Sequence, residues 1–171
     1  MAIMGTDLAI RRSPKIALVS GVLVLVAALM LVAWNANNPQ PLPTSNQQIP
    51  ASTPVGAAIY VGVFQGGSGF TRTLHLSGVK VHTTSNTAVQ VTPFLCLGGA
   101  IGVTTDPKAY CDDLINPEGQ VFTSDDSIIL QVTSDEPAVA VIDPVRLGFR
   151  EHFQWGTLPA GAGAVVRVVA D

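Results

Sequence analysis

The chain is 171 residues long and carries 9 Lys and Arg against 12 Asp and Glu, a formal net charge of −3. From Arg72 onward six cations (Arg72, Lys80, Lys108, Arg146, Arg150, Arg167) stand against eleven acids. That acidic balance argues against nucleic acid, anionic wall polymers or anionic lipid as partners of this part's surface. With an apolar run near the amino end and its flanks set aside, about 115 residues remain, enough for one domain with a modest core.

Residues 1–15 show neither helical nor strand period, and Ser13-Pro14 interrupts any helix there, which predicts a short tail. Ile16 to Trp34 holds no charged residue, and Ser20 beside Gly21 is its only polar interruption. At a rise of about 1.5 Å per residue such a run crosses a ~30 Å hydrocarbon core as a helix, which satisfies every backbone amide internally. Trp34 closes the run where an indole suits the headgroup level. Arg11, Arg12 and Lys15 precede it against Asp7 alone. This excess of cations predicts a cytoplasmic amino end and export of everything beyond Trp34. The competing reading is a cleaved signal peptide, whose apolar core runs to only about 7–15 residues before a small-x-small site. Here Ala33-Trp34-Asn35-Ala36 sets an indole across that site. A retained single-pass anchor in the cell membrane is therefore expected, with the lipid bilayer as partner through Ile16–Trp34.

Residues 35–56 carry Pro39, Pro41, Pro43, Pro50 and Pro54 among Asn, Gln, Ser and Thr, without a charge. The composition predicts an extended spacer that lifts an extracytoplasmic domain, 57–171, off the membrane.

From Ala57 the period changes to two. Ile59, Val61 and Val63 alternate with Tyr60, Gly62 and Phe64, and Gly66-Gly67-Ser68-Gly69 follows as a turn. Leu74 and Leu76 alternate with Thr73, His75 and Ser77, and Val79 and Val81 continue past Gly78, which marks a bulge or bend. Thr83-Thr84-Ser85-Asn86 reads as a turn. Residues 88–97 form a strand that Pro93 assigns to an edge or a bulge.

Cys96 and Cys111 both lie on the exported side, where a lone pair at this spacing predicts one disulfide. Between them Asp106 is an N-cap and Pro107 a first helical residue, which predicts one or two helical turns over 107–114. Ile128, Leu130 and Val132 then alternate with Ile129, Gln131 and Thr133, Val139 and Val141 follow a turn at Asp135-Glu136-Pro137, and Val145, Leu147 and Phe149 alternate with Arg146, Gly148 and Arg150. Glu151 falls on the apolar side, so either the strand breaks near Arg150, the favoured reading, or Glu151 is paired. A final strand covers 164–169. Seven or eight short strands with turns every 8–12 residues predict an all-β ectodomain, an antiparallel immunoglobulin-like β-sandwich, with a small barrel as runner-up.

No HxH, HExxH, GxSxG, EF-type loop or phosphate-binding glycine pattern occurs in the chain. No cofactor, metal site or enzymatic activity is expected. The acid pairs Asp112-Asp113, Asp125-Asp126 and Asp135-Glu136 read as turn residues, with a hydrolase built on them as the least favoured alternative. The candidate binding residues are Arg150, Phe153 and Trp155, because aromatic and arginine side chains together make interface hot spots. The plainer and favoured expectation is that Phe149, Phe153 and Trp155 fill the core of a domain poor in aromatics.

The segment Cys96-Leu97-Gly98-Gly99-Ala100-Ile101-Gly102-Val103-Thr104-Thr105, with Asp143-Pro144-Val145-Arg146 and Gln154-Trp155-Gly156-Thr157, resembles short membrane-anchored proteins of actinobacteria. The resemblance implies a bacterial envelope location and no mechanism. The expected role is a non-catalytic extracytoplasmic domain that binds or positions another envelope protein. Recognition of a cell-wall glycan or peptide is the alternative.

Overall fold

The computed structural model describes residues 14–170, without the side chains of 14–22 and 35–37. Most of the expected tail, residues 1–13, lies outside the described residues. The chain forms two compact units, 1–36 and 37–171.

A helix, α1 (Pro14–Asn37), runs for 24 residues, all but the last of them in the first unit. Pro14 takes the first position, where its missing N–H is one that no helix bond would use. The described side chains from Leu23 to Trp34 are all exposed, Val26 at 44% and Trp34 at 71%. No helix among the described residues is long and apolar enough to cross a membrane. The side chains at the start of the expected span Ile16–Trp34 fall outside them.

The second unit is a β-sandwich of two mostly antiparallel sheets. Its strands are β1 (Thr44–Pro54), β2 (Ile59–Gln65), β3 (Leu74–Lys80), β4 (Thr83–Ser85), β5 (Gln90–Leu97), β6 (Val103–Thr104), β7 (Asp113–Ile115), β8 (Val121–Phe122), β9 (Ser127–Thr133), β10 (Ala138–Ile142), β11 (Val145–Glu151) and β12 (Gln154–Val169). One sheet has the order β4-β10-β12-β11-β3-β8 with β1 added against β12; the other is β6-β2-β9-β5-β7. At 16 residues β12 is long enough to serve two neighbours in turn. Its first half pairs β11, from Gln154 opposite Glu151 to Ala160 opposite Val145, and its second half pairs β10, from Ala164 opposite Ile142 to Val168 opposite Ala138. Gly161 bridges the two halves with φ 73°, and a Cβ there would collide with the Val63 carbonyl of the other sheet. Only glycine fits both constraints.

The period of two delivers alternate residues to the interior. Leu74, Leu76, Val145, Leu147, Phe149, Ala164 and Val166 from one sheet meet Ile59, Val61, Leu95, Ile128, Leu130 and Val132 from the other. The second sheet is apolar on its outer face as well, at Cys96 and Ile129, with Tyr60 and Phe94 packed beside them. The loop closed by the Cys96–Cys111 disulfide, a separation of 15 residues with a Cα–Cα distance of 5.3 Å, covers that face.

Several sequence expectations change here. The spacer over 35–56 is instead largely part of the domain: Leu42 is 5% exposed, Thr53 2%, and β1 runs parallel to β12 with Ile49 opposite Ala164 and Pro54 opposite Val169. The prolines are tolerated because an edge strand bonds on one side only. Val55 N–H donates to Val169 O, so Pro54 and Pro50, one and five residues before it, turn their missing N–H toward the open side. The domain therefore begins well before residue 57. Residues 83–85 form a short strand rather than a turn, paired to β10. The helical turns over 107–114 reduce to a single 3-10 turn, Pro107–Ala109, with Asp106 Oδ1 accepting from Lys108 N at 3.2 Å as the expected cap. Cys111 then draws the chain back, and 113–115 pair with β5. Gly78 does mark a bulge: Gly148 faces Gly78 while Phe149 faces Leu76, which leaves Ser77 over.

Candidate functional site

β11 and β12 are joined by the two-residue loop His152-Phe153, with Glu151 and Gln154 as the last facing pair. His152 has φ 51°, and no other non-glycine residue among those described has a positive φ. Tight hairpin turns demand such a backbone at their first central residue. Because the loop has two residues, the inward parity changes from odd on β11 to even on β12. That change separates the aromatic residues expected to share the core. Phe149 is 2% exposed, whereas Phe153 is 86% and Trp155 57% exposed. Phe149 is core, and Phe153 and Trp155 are surface.

Trp155 stands opposite Arg150, Arg150 opposite His75, and His75 opposite Val121, a row across four strands with all four side chains exposed. Further along the same face Arg146 lies opposite Lys80, and its Nη2 donates to Thr157 O at 3.3 Å. Between them Gly148 leaves room for Ser77, whose Oγ is 2.7 Å from where a Cβ would sit. The three candidate residues are thus brought to one hairpin, with Arg150 and Trp155 side by side on the outer face and Phe153 at the tip.

The loop end of the hairpin is held by a residue that sequence reasoning did not single out. Arg72 Nη2 donates to Glu151 Oε2 at 2.6 Å and its Nε lies 3.0 Å and 3.1 Å from the two carboxylate oxygens, with the side chains 15% and 13% exposed. The same guanidinium turns Nη1 to Gln40 O at 3.2 Å and Pro41 O at 3.1 Å, and lies 5.6 Å from the Phe149 ring centroid. Both readings of Glu151 therefore hold at once: the strand ends there and the carboxylate is paired. Gly156 lets the incoming segment pass closely, since a Cβ would lie 2.8 Å from Pro39 Cγ. Residues 39–41 are thereby fastened to the hairpin.

Other polar groups have structural roles. Asp126, 6% exposed, accepts from Gly98 N at 3.2 Å and from Thr123 N and Oγ1 at 2.8 Å each, which ties the start of the disulfide loop to the turn before β9. His82 Nδ1 and Asp143 Oδ2 are 2.8 Å apart but exposed, an arrangement that contributes little. Among the described residues no three His, Cys, Asp or Glu side chains converge as metal ligands. A shallow depression of about 500 Å³ lies at the other end of β12, lined by Gln48, Pro50, Ala51, Ser52, Val165 and Arg167.

No family model matches the chain. No curated protein and no solved structure matches it at a significant level.

Proposed function

We propose that the protein is a single-pass membrane protein with a cytoplasmic amino end, whose extracytoplasmic domain is a non-catalytic binding module of immunoglobulin-like type. The fold reading is supported by strand order: β12, β11 and β3 lie side by side facing β2-β9-β5, as strands G, F and C lie together facing B, E and D in immunoglobulin domains. The anchor reading is supported by the uncharged run Ile16–Trp34 and the cations before it. The disulfide agrees with an oxidising location.

The working element of the domain is the Arg150–Trp155 hairpin, and its function is to position the domain against a neighbouring component of the envelope. One observation carries this: Phe153 and Trp155 are displayed at 86% and 57% exposure on a hairpin braced by Arg72. Large aromatic side chains on a rigid support are what binding surfaces use. Replacing Phe153 by a photo-crosslinking phenylalanine analogue in intact cells tests the reading. The expected result is a reproducible adduct at position 153 and none from the same analogue at Tyr110, an exposed aromatic residue of the disulfide loop. The absence of any adduct at 153 would overturn it.

A further inference from the structure

We infer that the component met by this hairpin is the headgroup layer of the bilayer that holds the protein, so that Phe153 and Trp155 dock the domain onto its own membrane. The inference rests on the anchor reading above and adds the identity of the partner. Its basis is the path of the chain. Pro39 lies against Gly156, and Gln40 and Pro41 are bonded through Arg72 to Glu151, so the domain receives its amino-terminal segment at the loop end of this hairpin. From Trp34, the residue suited to the membrane interface, to Pro39 is five residues, at most ~17 Å of fully extended chain. A long free spacer would have let any face of the sandwich turn to the membrane. The folded stretch from Pro39 through β1 leaves no such spacer, and on the anchor reading only the residues between Trp34 and Pro39 separate the end of the apolar run from the segment fastened to the hairpin.

The side chains brought there suit that layer. Indole and phenyl rings partition to the boundary between headgroups and acyl chains, where an apolar body and polar surroundings are both available. Arg150 beside Trp155, with Arg146 and Lys80 further along the same face, supplies donors for lipid phosphates. The net acidity of the domain is an average that does not describe this end, because Glu151, the acid at the tip, is already neutralised by Arg72.

The test uses the full chain. Its two tryptophans are Trp34 and Trp155, so Trp34→Phe leaves Trp155 as the only indole. The variant is reconstituted in vesicles of phosphatidylcholine, with and without phosphatidylglycerol, whose acyl chains are brominated near the headgroup. The expected result is loss of Trp155 emission in brominated vesicles and protection from iodide in the water, both weakened by adding Phe153→Ser. Stronger quenching with phosphatidylglycerol would assign part of the docking to the cations, and equal quenching would assign it to the rings; either supports docking. Quenching by iodide and not by bromine would overturn the inference. So would protection from both quenchers, which would mean that protein, such as a second copy, covers the hairpin. Flotation of the same vesicles separates the two readings: protein that does not float with lipid contradicts the anchor, whereas floating protein with a water-exposed Trp155 contradicts the docking alone.

Discussion

Arg72 joins two stretches distant from it in sequence: the segment before β1, and the end of β11, where it meets both Glu151 and the Phe149 ring. Its removal strands a largely buried carboxylate, and the cost of leaving such a group unpaired exceeds what the pair itself contributes. Arg72→Met is expected to destabilise the domain by about 1–3 kcal/mol in urea denaturation, and Arg72→Met with Glu151→Met to recover part of that loss. A double variant as unstable as the sum of the single ones would show that the two groups act independently. Phe153→Ser and Trp155→Ser, by contrast, alter exposed residues and should shift stability by no more than about 0.5 kcal/mol each. A larger loss would return these rings to the core.

At the scale of the element, what could be read from the sequence depended on how local its cause was. Alternation within a strand is local, so the strands of 59–65, 128–133 and 145–150, the bulge at Gly78, the cap at Asp106 and the cysteine pair were all legible. The parity of Phe153 and Trp155 was not, because it turns on whether the loop after Glu151 has two residues. The partner of Glu151 lies 79 positions away, beyond any spacing argument. β1 escaped notice because proline-rich composition speaks for extended backbone without saying whether a sheet edge lies beside it. Leu42 tests this point. As a buried anchor at 5% exposure, its replacement by Ala is expected to cost about 2–4 kcal/mol in thermal or urea unfolding. No change would restore the spacer.

For the whole molecule, the disulfide loop covers the outer face of the second sheet, and the core alone must otherwise hold a modest domain. Closing a loop of 15 residues contributes ~3 kcal/mol in the chain-entropy account. Cys96→Ser with Cys111→Ser should lower stability by about that amount, read as a fall in the urea midpoint, and reduction of the unaltered protein should do the same. Midpoints that match with and without reductant would mean that the bond is not formed where the protein works.

The proposed docking presupposes that the β-domain is outside the cell and the amino end inside. The most direct measurement places different tags at the two ends and applies protease to intact cells. The account predicts that the carboxy-terminal tag is lost at once and that the amino-terminal tag survives on a fragment until the membrane is permeabilised. A carboxy-terminal tag that stays protected in intact cells would contradict it.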